Sequence, residues 1–163
     1  MAGRRAASRS RHGERPRDRG SALIAYFDTS GFVKLLIEEP GSEVVHVIWN
    51  AAHRSVSSRL LYPETRAALA RAARSRRLTR RVHAAAKAEL ENFSQQIDWS
   101  ELTDNVARRA GELAERHALP GADALHLAAA ESLADEESVI VTADLRLRAA
   151  AQRLGLATAR LAD

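Results

Sequence analysis

The sequence predicts an α/β fold in which a parallel sheet lies between two layers of helices. Three observations carry this expectation. Apolar runs of strand length, 22–27 and 138–142 above all, alternate with longer stretches of helical period. Each of these two runs ends at an acidic or hydroxyl-bearing corner, Asp28-Thr29-Ser30 in one case and Thr142-Ala143-Asp144 in the other. No repeat or second compositional block interrupts the alternation, so the 163 residues read as one domain large enough to bury a core. The expectation is a three-layer α/β/α domain over residues 21–163 with a mostly parallel central sheet of four to five strands.

Residues 1–20 hold seven arginines against two acids and almost nothing that could be buried, so they read as a disordered basic arm. The arm accounts for the basicity of the whole chain, whose net charge is +4 and pI about 10.3. The rest carries 18 basic and 19 acidic residues, and global charge is therefore no argument for a nucleic-acid surface.

The first strand is expected at 22–27, and a short helix at 30–37 that Glu38-Glu39-Pro40-Gly41 ends. Val44, Val45, Val47, Ile48 and Trp49 suggest a second helix, and 54–57 a weak second strand. A long helix follows at 60–73. Pro63 is tolerable only in its first turn, which puts Glu64 near its N-terminus. Residues 78–95 form an amphipathic helix and 97–99 a short strand. The helix at 103–117 has Val106, Ala110, Leu113 and Ala114 on one face. Leu119-Pro120-Gly121 breaks the chain before a helix of small residues that starts at Ala122 and must pack closely. Residues 138–142 are the clearest later strand, a helix runs from Asp144 through Arg153, and 156–158 could add an edge strand.

Several classes of chemistry are excluded. Without cysteine there is no disulfide, thiolate metal site or cysteine nucleophile. No Gly-x-Gly-x-x-Gly follows the first strand, which disfavours dinucleotide binding. A phosphotransferring aspartate enzyme usually wants an acid where Ser30 stands. No apolar run approaches the roughly 20 residues that span a bilayer, and no hydrophobic signal segment follows Arg4-Arg5, so the expected location is cytoplasmic and no membrane partner is expected.

Four acids stand out by position. Asp28 follows strand one, Glu64 sits early in the helix after strand two, Asp123 opens the helix after the Pro-Gly break, and Asp144 follows the later strand. In a parallel sheet all strand ends of one polarity share an edge, where such folds keep their ligand sites. Singly, each acid is explained as a helix cap or a surface partner of arginine, Glu64 with Arg66 for instance. Together they suit a hard divalent cation such as Mg²⁺, which relieves the repulsion of converging carboxylates and can activate water for phosphoryl transfer. Capping and metal binding are compatible, since Thr29 or Ser30 can cap while Asp28 faces the ion.

Between Glu64 and Glu89 there is no acid but a run of basic residues that includes Arg71, Arg74, Arg77, Arg80 and Arg81. This one-sided block is the candidate for RNA phosphate contacts; its bland alternative is a solvated helix corner. His126, one turn after Asp123, is expected to pack or hydrogen-bond rather than to act as a base. Trp49 and Trp99 read as core or dimer contacts.

The Phe27-Asp28-Thr29-Ser30 start, the lone Glu64, the Asp123-Ala124-Leu125-His126-Leu127-Ala128 segment and Thr142-Ala143-Asp144 together resemble the PIN domain. More narrowly they resemble VapC, the toxin component of type II toxin–antitoxin systems. The resemblance covers about residues 22–160. It implies a Mg²⁺-dependent endoribonuclease, with Mn²⁺ as a substitute, that leaves a 3′-hydroxyl and a 5′-phosphate. By it Asp28, Glu64, Asp123 and Asp144 would be the catalytic metal ligands, supported through hydrogen bonds by Thr29, Ser30 and Thr142. It also implies a homodimer, a VapB-like antitoxin, and transfer RNA or ribosomal RNA as plausible substrates. Where some members carry a further acid just past the fourth one, Leu145, Arg146 and Leu147 stand here, which argues against a second metal. Two other readings stay open: a PIN nuclease with an RNA-processing role, and a non-catalytic α/β binding module whose acids are caps.

Overall fold

The computed structural model describes residues 23–134 and 137–161; the basic arm lies outside them. Four strands and seven helices follow one another as β1 (Ile24–Phe27), α1 (Thr29–Leu36), α2 (Ser42–Ala51), β2 (Arg54–Ser58), α3 (Leu61–Arg74), α4 (Arg80–Ser94), β3 (Ile97–Ser100), α5 (Asp104–His117), α6 (Gly121–Glu131), β4 (Ser138–Val141) and α7 (Leu145–Arg153). The strands form one sheet in the order β3-β2-β1-β4, and every pairing is parallel.

That order has a consequence for the site. The chain winds outward from β1 through β2 to β3, then crosses back to lay β4 on the other side of β1. Strand order therefore reverses at β1/β4, and the crevice at the carboxyl ends of two such strands is where open α/β sheets bind ligands. The register from Ile24↔Ser138 to Phe27↔Val141 makes β1 and β4 end level, so Asp28 and Thr142 leave the sheet side by side.

Side chains alternate across the sheet and divide the core into two halves. Tyr26, Val56 and Ile140 pack under α5, α6 and α7 with Leu113, Leu127 and Leu147. Ala25, Phe27 and Val141 pack under the first four helices with Phe32, Trp49, Leu61 and Leu90. On that second side Phe27, Phe32, Trp49 and Phe93 meet edge-on, with ring centroids 5.0–6.5 Å apart. Ala124, Ala128, Ala129 and Ala130 of α6 are buried, and their small side chains allow that helix to lie close against α5 and the sheet.

One expectation needs adjustment. The edge strand foreseen at 156–158 reduces to one isolated bridge, Ile140↔Thr158, because Gly155 turns the chain at positive φ and leaves too few residues alongside β4 for a ladder. The sheet thus has four strands. The weakly signalled β2 is nearly all buried, and its serines are satisfied internally; Ser57 Oγ, for example, donates to the Phe27 carbonyl at 2.6 Å.

Candidate active site

Asp28 is the hinge between β1 and α1. Its extended backbone (φ −83°, ψ 173°) aims the carboxylate across the first turn of α1, and Oδ1 accepts from the Gly31 amide at 2.8 Å. The cap is therefore Asp28 itself, not Thr29 or Ser30. Those hydroxyls lie inside the helix and are used differently. Ser30 Oγ lies 2.9 Å from both oxygens of Asp28, and Thr142 donates to Oδ2 at 2.8 Å. Ser30 also accepts from the amides of Ala143 and Asp144 at 2.8 and 3.1 Å, which ties the start of α1 to the β4–α7 corner.

Gly31 makes this junction feasible. A Cβ at that position would sit 2.2 Å from the Val141 carbonyl oxygen, so only glycine lets α1 approach the end of β4 so closely. Asp28 is buried, and burial pushes its carboxyl above the usual range, against the pull of the Gly31 amide, His126, Thr142 and Ser30.

Glu64 lies in the first turn of α3, where its charge complements the helix N-terminus. Its partner is not Arg66, which reaches Glu91 at 3.7 Å instead. Glu64 Oε2 receives Thr29 Oγ1 at 2.5 Å and His126 Nε2 at 2.8 Å. Burial would raise its pKa, but these hydrogen bonds outweigh burial and hold it below the ordinary value. His126 is 2% exposed, and its other nitrogen lies 3.0 Å from the Tyr26 hydroxyl. As expected from the sequence, it is a buried hydrogen-bonding residue. Tyr26, Ser58 and Gly31 were missed. Tyr26 reads as an ordinary apolar strand position, and a glycine three residues past a strand carries no signal of what stands behind it.

Asp144 caps α7, with Oδ1 accepting from the amides of Arg146 and Leu147 at 2.8 and 2.9 Å. Asp123 lies in the first turn of α6. Its carboxyl is raised by burial first and then by the charges of Asp144, Asp28 and Glu64 in turn. Asp123 is therefore close enough to feel each of the other three acids, although they come from separate elements.

Among the described residues, no three His, Asp or Glu groups are already drawn in to metal-ligand spacing. Several of their oxygens are engaged in the bonds above. The donor set nonetheless fits a hard cation. No hydrogen bond among the described residues engages Glu64 Oε1, Asp144 Oδ2 or either oxygen of Asp123, and the only cation-forming side chain bonded to the four is His126. Oxygen donors of this kind suit Mg²⁺ or Mn²⁺ rather than a soft metal.

The arginine block lies elsewhere. Arg71 and Arg74 are on the last turns of α3, Arg77 is in the connection, and Arg80 and Arg81 open α4. At 1.5 Å per residue, Arg74 is about 15 Å along α3 from Glu64. Arg54, Arg59, Arg66 and Arg109 all pair with acids. The five tip arginines are exposed and have no acidic partner among the described residues. Trp49 is core, whereas Trp99 is half-buried under the Arg59 guanidinium at 5.4 Å.

Fold and site define a class: a three-layer α/β domain with a set of acids at its switch point. The PIN-domain profile matches residues 25–153. Ribonuclease VapC45 of Mycobacterium tuberculosis (strain CDC 1551 / Oshkosh) is 46% identical over 132 residues, covering 81% of this chain and 92% of that protein. Among solved structures, Mycobacterium tuberculosis VapC20, a Sarcin-Ricin loop cleaving toxin, has a TM-score of 0.59 at 21% identity, over 77% of this chain and 94% of its own. VapBC2 from Rickettsia felis, bound to a DNA fragment of its promoter, gives 0.58 at 14% identity, over 85% and 99%. These two structural likenesses establish the fold. The chain belongs to the PIN-domain family and, within it, to the VapC ribonucleases.

Proposed function

We propose that this chain is a divalent-metal-dependent endoribonuclease and the toxin of a VapBC-type module. One observation carries the proposal: acids from four elements stand near the β1/β4 switch point, close enough that Asp123, raised first by burial, is raised further by the charges of Asp144, Asp28 and Glu64. Such an arrangement costs folding stability, and a bound divalent cation would offset that cost.

Asp28, Asp123, Glu64 through Oε1 and Asp144 through Oδ2 would hold the ion. When bound, Mg²⁺, or Mn²⁺ in its place, supplies a water acidic enough to attack a phosphodiester and neutralises charge on the leaving oxygen. Thr29, Ser30 and Thr142 act on the acids rather than on RNA: Thr29 fixes Glu64, while Ser30 and Thr142 fix Asp28. The product ends would be a 3′-hydroxyl and a 5′-phosphate.

Arg71, Arg74, Arg77, Arg80 and Arg81 would take phosphates of the same RNA well away from the cut, because they are exposed, lie together in one acid-free stretch and have no acidic partner among the described residues. A folded substrate such as transfer or ribosomal RNA is long enough to reach both places. A VapB-like antitoxin is the expected partner, a homodimer the expected assembly and the cytoplasm the expected location. Among the described residues, no helix is long and apolar enough to cross a membrane.

RNA-end sequencing after induction of wild type and Asp123→Asn tests the activity and finds the target together. New 5′-phosphate ends that depend on Asp123 support the proposal. Identical end profiles for the two proteins would refute it.

A further inference from the structure

The groups behind Glu64 form one hydrogen-bonded chain with a definite direction. The Ser58 amide donates to the Tyr26 hydroxyl at 3.2 Å, so that oxygen is already an acceptor on one side. The Tyr26 proton must go elsewhere. Ser57 Oγ, the nearby alternative, donates to the Phe27 carbonyl at 2.6 Å, which leaves its oxygen able to accept, so the direction is decided at the Glu64 end of the chain. The other neighbour is His126 Nδ1, at 3.0 Å. An Nδ1 that accepts from tyrosine is bare, which leaves the ring proton of a neutral imidazole on Nε2. That nitrogen lies 2.8 Å from Glu64 Oε2, where a bare lone pair would oppose the carboxylate and an N–H is attracted by it.

We propose that His126 is a positioning residue for Glu64, held by Tyr26 as the Nε2–H tautomer so that its N–H clamps Oε2 and leaves Oε1 for the ligand. This deepens the metal-site reading and rests on it. Glu64 is half-buried in the first turn of α3, and a glutamate there ordinarily samples several rotamers. Here its carboxylate is tied to α1 through Thr29, to α6 through His126 and, one step back, to β1 and β2 through Tyr26 and Ser58. Tyr26 and His126 also contact edge-on, with ring centroids 6.1 Å apart, so ring orientation is fixed by packing as well as bonding. The i,i+3 spacing of Asp123 and His126 puts one acid and the orienter of another on the same face of α6.

The test combines two readouts on the full chain. Ring ¹⁵N spectra of histidine-labelled protein, assigned with His126→Gln, are expected to show His126 Nδ1 as a bare acceptor and Nε2 protonated. In Tyr26→Phe that single pattern should give way to a mixture of tautomers. Mn²⁺ titration supplies the second readout. His126→Gln, whose amide N–H can occupy the Nε2 position, should keep affinity within about threefold, and His126→Ala should lose about tenfold or more. A protonated Nδ1 in wild type, or an unchanged Mn²⁺ affinity in a folded His126→Ala protein, overturns the proposal. If His126→Ala does not fold, the wild-type and Tyr26→Phe spectra still decide it. If wild type binds no Mn²⁺, the metal reading fails while the tautomer spectrum still judges the clamp.

Discussion

Gly31→Ala isolates the junction that aligns the acids. In most helix interiors the change is favourable, because alanine is about 1 kcal/mol better than glycine. At Gly31 the new methyl would lie 2.2 Å from the Val141 carbonyl oxygen, 2.8 Å from its carbon and 3.3 Å from Asp28 Oδ1. Relief of that overlap requires α1 to retreat from β4 by ~1 Å, given ordinary contacts beyond about 3.4 Å. Overpacking of this kind costs about 1–3 kcal/mol, and here the obstacle is backbone rather than a flexible side chain. The expected net loss is about 2 kcal/mol, or about 4–8 °C in Tm. The same retreat pulls Asp28 and Ser30 away from Thr142 and Asp144, so cleavage should fall further than stability. Gly111→Ala in α5 is the internal control: its methyl meets nothing within 4 Å, and it should gain about 0.5–1 kcal/mol. Urea unfolding of both variants, with unchanged m-values, measures the contrast. A Gly31→Ala protein as stable and active as Gly111→Ala would refute the close-approach argument.

Further outcomes follow from the same geometry. Asp123 has a raised pKa in the fold, so its contribution to stability is present below the unfolded value and is lost as pH rises through the folded one. In chelator, Asp123→Asn should therefore be more stable than wild type at pH 7, and the difference should shrink toward pH 4 in thermal melts. Ser30→Ala removes the acceptor of the Ala143 amide and a donor to Asp28, and should cost about 1–2 kcal/mol in urea unfolding with a larger loss of cleavage. Replacing Arg77 and Arg80 by alanine should leave Tm unchanged, weaken RNA binding, and flatten its log–log salt dependence by about 1–2 units in filter binding.

Much of this was legible before any coordinates. The alternation of short apolar runs with helical periods gives the layers, and parallel strands by themselves send Asp28, Thr142 and Asp144 to one edge. What the sequence hid was pairwise. Glu64 has an arginine two residues away, and local spacing suggested that pair. Its real partner, His126, lies 62 residues further on, and only the packing of α6 on α5 and β2 brings the two together. Tyr26 looked apolar because one face of its ring is packed, while its hydroxyl is a polar atom on a core-facing residue. Asp28 caps its own helix because its backbone stays extended for one residue past β1, and no composition rule distinguishes that from a cap by Thr29 or Ser30. The arginines were recognised as a block, but how far they lie from Glu64 depends on α3 running unbroken to Arg74.

The central claim is that four acids from separate elements form one cation site. Mn²⁺ titration of wild type, Glu64→Gln, Asp123→Asn and Asp144→Asn, read by calorimetry beside RNA cleavage on the same samples, tests it most directly. The expected result is one ion per chain for wild type, with affinity and cleavage falling together by orders of magnitude in each variant. Full Mn²⁺ affinity in all three variants, or cleavage by wild type that persists unchanged in chelator, would contradict it.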